Sequence, residues 1–129
     1  MRVAISSAIL VIFAAAAGAH AQQAPRHVAL KSGESTELRN YYFVQNCRST
    51  MIGSPVLDVL EGPEELTVTL KPGMKIPQKC AKPVLGGTVV ATAKEVKAPK
   101  EAKLTIRLKF KTKIGERQSS NAYTVSLFP

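Results

Sequence analysis

From Leu104 to Thr112 the chain alternates without a break: Leu104, Ile106, Leu108 and Phe110 take every second position, separated by Thr105, Arg107, Lys109 and Lys111. A period of two puts successive side chains on opposite faces of an extended strand, whereas a helix would scatter the four apolar residues around its circumference. The segment therefore reads as a half-buried strand with one apolar and one cationic face. Each of those four side chains contributes about 1.5–3 kcal/mol when fully buried, which commits the strand to a sheet facing the core. Tyr123, Val125 and Leu127 repeat the pattern near the C-terminus, and Lys113-Ile114-Gly115 supplies a turn, so a hairpin is expected to close the fold.

Upstream, apolar runs too short for helices alternate with turn residues. Strands are expected at His27–Lys31, at Thr36–Gln45 around the β-favouring Tyr41-Tyr42-Phe43-Val44, from Pro55 or Val56 to Leu60, at Leu66–Leu70, and at Val84–Ala93 with a bend at Gly86-Gly87. Ser32-Gly33, Glu61-Gly62-Pro63-Glu64-Glu65 and Lys71-Pro72-Gly73 read as turns. Met74–Pro83 carries two prolines and reads as irregular or edge chain. Lys94–Lys103, rich in lysine and interrupted by Pro99, reads as a charged connection.

At the N-terminus, Arg2 precedes an apolar run ending in Ala19-His20-Ala21, the parts of a cleavable secretory signal. We expect residues 1–21 to be that signal and residues 22–129 to form a single domain in the periplasm or outside the cell. No cysteine stands at the expected cut to accept a lipid, and no later apolar stretch is long enough to span a bilayer. Export passes the chain through an oxidising compartment, so Cys47 and Cys80, the only two cysteines, are expected to pair. Closing that loop of about 33 residues stabilises a fold by roughly 3–4 kcal/mol in the chain-entropy model. Their long separation sets them apart from a redox-active Cys-x-x-Cys pair.

Seven or so short strands with one disulfide predict an all-β fold, a single antiparallel β-sandwich of the immunoglobulin-like kind, with an irregular small barrel as the alternative. The core tryptophan of true immunoglobulin domains is absent, because the chain has none. From the export signal through Asn46-Cys47-Arg48-Ser49 to the closing Ser126-Leu127-Phe128-Pro129, the chain resembles small uncharacterised periplasmic immunoglobulin-like sandwich proteins of Gram-negative bacteria. That resemblance implies an architecture and a compartment, and brings no active-site residue with it.

Catalytic classes lack material. Beyond the signal the one imidazole is His27, Ser49 has no nucleophile elbow or base, and Gly86-Gly87 lacks the residues of a phosphate loop. Glu61, Glu64 and Glu65 flank a Gly-Pro turn, where solvated carboxylates are the ordinary outcome. No metal site, cofactor site or catalytic residue is expected, and the chain is read as a non-enzyme.

Charge is the feature that stands out. The chain carries +9 overall, with Arg2 the only charged residue of the signal; residues 22–70 hold four basic and six acidic groups, residues 71–129 thirteen basic and three acidic. Arg107, Lys109 and Lys111 must share one strand face; Lys94, Lys97, Lys100 and Lys103 lead into it, and Lys113 and Arg117 extend it past the turn. We expect these nine residues to form a cationic surface for an anionic envelope partner, a lipid headgroup, an acidic glycan or an acidic protein surface, in a non-enzymatic binding or accessory module. Solubilising lysine on a solvated face or a protected edge is the competing account. Nucleic acid is a poor partner, because the basic strand has no interleaved aromatics. Two other functions stay open: an assembly subunit pairing through an edge or the C-terminal strand Ala122–Phe128, and an enzyme inhibitor presenting the loop Arg48–Ser54.

Overall fold

The alternating segment is the spine of the fold. In the computed structural model, which describes residues 26–129, β8 (Lys100–Thr112) and β9 (Gly115–Phe128) form one long antiparallel hairpin, paired from Lys100↔Leu127 to Thr112↔Gly115. The expected signal lies outside the described residues. β5 (Val56–Glu61) flanks β8, and β1 (Arg26–Lys31) flanks β9, giving a four-stranded sheet in the order β1-β9-β8-β5. A second sheet has the order β2-β7-β6, from β2 (Ser35–Tyr41), β7 (Val84–Ala93) and β6 (Leu66–Lys75). A two-residue pair, β3 (Val44–Gln45) and β4 (Arg48–Ser49), makes a small separate hairpin. The described chain is thus all-β.

One apolar core lies between the two principal sheets. Leu104, Ile106, Leu108 and Phe110 from β8 and Tyr123, Val125 and Leu127 from β9 meet Leu38, Tyr41, Val89, Ala91 and Ala93 from the second sheet. On β7 the facing residues Val89, Ala91 and Ala93 are small, which leaves room for the large side chains of β8 and β9. Val96, from the connection after β7, seals one end, and its N–H donates to Ser32 Oγ at 2.8 Å. At the other end the Tyr41 and Phe43 rings pack on Phe110, with centroids 6.5 and 6.0 Å apart.

The boundaries depart from expectation in four places. The expected second strand stops at Tyr41, because Asn46 and Cys47 both have positive φ (51° and 60°) and fold Val44–Ser49 into its own two-residue-turn hairpin. Lys71-Pro72-Gly73 is not a turn: β6 runs through it to Lys75, tolerating proline because β6 is an edge strand. β8 begins at Lys100 rather than Leu104, and the polar Glu116–Ser120 stretch is strand, because each finds backbone partners in the other hairpin arm. The strands are not all antiparallel either, since β1 pairs β9 in parallel from Arg26↔Tyr123 to Lys31↔Phe128. As a result Tyr123–Phe128 is hydrogen-bonded on both sides and is not available to recruit another chain.

The expected disulfide forms. Cys47, at the tip of the small hairpin, bonds to Cys80 in the connection between β6 and β7, across a sequence separation of 33.

Candidate functional site

Alternation along β8 places Lys103, Arg107, Lys109 and Lys111 on its outer face, opposite the buried Leu104, Ile106, Leu108 and Phe110. The cations are not left alone there. Asp58, paired with Arg107 across β5 and β8, offers Oδ2 to Arg107 at 3.4 Å and to Lys109 at 3.6 Å. Lys111 stands opposite Glu116. One carboxylate oxygen shared by two cations leaves the middle of the strand only partly neutralised.

The nine expected residues do not form one patch. Lys94, Lys97, Lys100 and Lys103 gather at the end of the molecule where β7 leads into β8. That end also holds acid: Glu64, Glu65, Glu95, Lys97 and Lys100 line one shallow depression, and Lys100 Nζ lies 2.8 Å from Glu65 Oε2. The hydrogen bond from Lys100 holds the Glu65 carboxyl below its ordinary value of 4.5. Arg107 sits midway. Lys109, Lys111, Lys113 and Arg117 lie at the opposite end, about 27 Å from Lys103 to Lys111 along the strand at ~3.4 Å per residue. Screening over about 8–10 Å at ordinary salt makes the two groups electrostatically independent.

The far end is where positive charge concentrates. There β6 gives way to β7, β8 turns into β9, and the disulfide ties the loop after β6 to the small hairpin. Lys75, Lys79 and Lys82 are on or beside that loop, and Lys71 lies four residues back on β6. Arg48, on β4, lines an open depression together with Lys113, Gln45, Asn46, Ser49 and Thr50. Backbone bonds fix the neighbourhood: Ile52 N–H donates to the Lys111 carbonyl at 2.7 Å, and Lys113 N–H to the Thr50 carbonyl at 2.9 Å. Glu116 is the carboxylate that stands among these residues, and Asp58 reaches Lys109 from the middle of the sheet. Lys111, Lys113 and Arg117 make no ion pair among the described residues.

The β8 strand pattern could not show Arg48, Lys71, Lys75, Lys79 and Lys82. The signal for the four lysines in the sequence was the basic balance of residues 71–129, which assigned them to a half of the chain and not to a place; Arg48, outside that half, had none. His27, on the outer face of β1, has its Nε2 2.9 Å from Ser126 Oγ. Arg39 reaches across from β2 to bond Ser119 Oγ and Asn121 Oδ1 at 3.1 and 2.6 Å, which accounts for the polar inner face of β9 before Tyr123. Among the described residues no group of three or more His, Cys, Asp or Glu side chains is placed to hold a metal ion, and no helix is long and apolar enough to cross a membrane. No protein-family model, curated protein or solved structure matches the chain.

Proposed function

We propose that the chain is an exported, non-enzymatic binding or accessory module, built as an immunoglobulin-like β-sandwich, that docks an anionic envelope partner through the basic end of the molecule. Strand order supports the architecture. With β2, β5, β6, β7, β8 and β9 as strands B to G, the sheets reproduce the BED and CFG sets, β1 pairing with G rather than B.

The observation that carries the function is the polarity of charge. Arg48, Lys75, Lys79, Lys82, Lys111, Lys113 and Arg117 share an end with one carboxylate, while Lys94, Lys97 and Lys100 share the other with Glu64, Glu65 and Glu95. Solubility depends on net charge, wherever it sits. Concentrating like charge costs self-repulsion, and a facing anion offsets that cost.

Two variants of identical net charge test this. Lys111→Glu with Lys113→Glu should abolish capture of the protein by envelope fractions at low salt, and Lys94→Glu with Lys97→Glu should leave it intact. Equal behaviour of the two pairs would overturn the reading. Assembly through a strand edge is the second reading, favoured by the Gly115–Ala122 side of β9, which β1 does not cover. Light scattering on the purified protein decides it, since edge pairing requires a dimer or larger.

A further inference from the structure

Five of the nine large apolar residues left exposed among the described residues lie at the same basic end. Ile76 is 64% exposed, Met74 59%, Ile52 53%, Leu85 51% and Ile114 50%. Met74 and Leu85 face each other across β6 and β7. In register they continue the series Leu66↔Ala93, Val68↔Ala91, Leu70↔Val89 and Pro72↔Gly87, so they prolong the core-facing side of the sheet past the end of the core. Ile76 follows at the end of β6. Ile52 and Ile114 adjoin Lys111 and Lys113 on the other sheet. Solubilising lysine accounts for the cations and leaves this oily tip unexplained, since exposed apolar residues grouped and rimmed by charge mark contact surfaces.

We infer that this end seats on the interface of an anionic phospholipid bilayer, Met74, Ile76 and Leu85 entering the headgroup–acyl boundary while Lys75, Lys79 and Lys82 meet phosphates around them. The inference rests on the basic end being a docking surface, and it chooses among anionic partners by the apolar tip. An acidic glycan offers such side chains nothing. A bilayer offers both an anionic surface and an apolar layer beneath it, and basic–apolar surfaces bind it through the two together.

The chain has no tryptophan, so Ile76→Trp introduces a single reporter at an exposed position. The protein, expressed from the full chain and purified as the cell processes it, is mixed with vesicles of phosphatidylcholine alone or of an equimolar phosphatidylcholine–phosphatidylglycerol mixture. Binding and a blue shift of the indole emission are expected with the mixed vesicles only. Replacing Met74, Ile76 and Leu85 with serine should weaken that binding about tenfold or more with the circular dichroism spectrum unchanged. Lys79→Glu with Lys82→Glu should weaken it at least ~30-fold, at about 1 kcal/mol for each lysine lost from the surface.

Sedimentation with mixed vesicles without a blue shift, or with full strength in the triple serine variant, would overturn insertion while leaving the basic end an anion-docking surface. No binding to mixed vesicles would also overturn the inference; if Lys111→Glu with Lys113→Glu still abolished envelope capture, the partner would be an acidic glycan or an acidic protein surface. Loss of neither property on charge reversal would sink the docking surface and this inference together.

Discussion

Replacing Gly87 with alanine tests how closely the neighbouring strands β2, β7 and β6 of the second sheet pack where the core ends. A Cβ at Gly87 would fall inside the contact distance of the Tyr41 hydroxyl and Cζ, and 2.6 Å from the Lys71 carbonyl oxygen on the neighbouring strand. Neither obstacle yields easily. The Tyr41 ring is 1% exposed and packs on Phe110, and the Lys71 carbonyl belongs to the backbone of β6. Overpacking of a filled site costs about 1–3 kcal/mol, and blockage on two sides puts Gly87→Ala near the top of that range. Taking about 1–1.5 kcal/mol per molar as the urea dependence for a small domain, the unfolding midpoint should drop by about 2–3 M.

Two neighbouring glycines supply the comparison. At Gly86 a Cβ would overlap the Tyr41 carbonyl oxygen and lie 3.2 Å from the Tyr42 Cβ, so Gly86→Ala should be at least as damaging. Gly73 is paired with Gly86, yet a Cβ there meets nothing within 4 Å. Gly73→Ala should therefore stay within about 0.5 kcal/mol of wild type. Urea unfolding followed by circular dichroism measures all three. Equal midpoints for Gly87→Ala and Gly73→Ala would mean that β7 does not run beneath Tyr41, and the packing described for this end would be wrong.

Three further outcomes follow from the same structure. Cys47→Ser with Cys80→Ser should lower stability by about 3–4 kcal/mol in chemical unfolding while keeping the β-type far-ultraviolet spectrum, because the bridge joins a hairpin and a loop outside the two principal sheets. Burial raises the Tyr41 and Tyr123 hydroxyls above the ordinary value of 10.0, the latter against the opposing charges of Arg39 and Arg26. Their contribution is complete below that value and is lost as pH rises through their higher folded values, so an alkaline titration of tyrosinate absorbance should show both ionising late, with a falling melting temperature. Glu65 has the opposite sign: its lowered value gives stability above 4.5 that is lost as pH falls through the folded value. In Lys100→Met the carboxyl resonance in an NMR titration should move back toward 4.5.

Local patterning accounted for much of the fold. The alternation of β8, the β7 segment Val84–Ala93 and the Cys47–Cys80 pairing were all readable, because apolar burial acts at the level of single segments and a chain with two cysteines offers one intramolecular pairing. The start of β8 at Lys100 and the strand character of Glu116–Ser120 were not, since neither stretch has an apolar face and each is extended only because its partner strand supplies hydrogen bonds. Pro72 misled for a related reason: proline followed by glycine signals a turn, and only the position of β6 at a sheet edge makes a strand possible there.

The site was legible to the same limit. Shared charge on Arg107, Lys109 and Lys111 follows from a period of two, but the gathering of Lys75, Lys79 and Lys82 with Lys111, Lys113 and Arg117 depends on the direction of the strands. In successive antiparallel strands the connections fall alternately at opposite ends. The β6–β7 loop and the β8–β9 turn therefore share an end, and the β5–β6 turn shares the other with the β7–β8 connection. Lys79 and Lys82 belong to the first of these pairs, Glu64 and Glu65 to the second. Antiparallel order thus brings the basic residues of the β6–β7 loop and the β8–β9 turn to one end of the molecule, while Lys94, Lys97, Lys100 and Lys103 go to the other. Two of the apolar residues exposed there, Met74 and Ile76, sit in the same basic segment, so one stretch of chain brings both the charge and the oily tip to a surface that solubility alone would have left mixed.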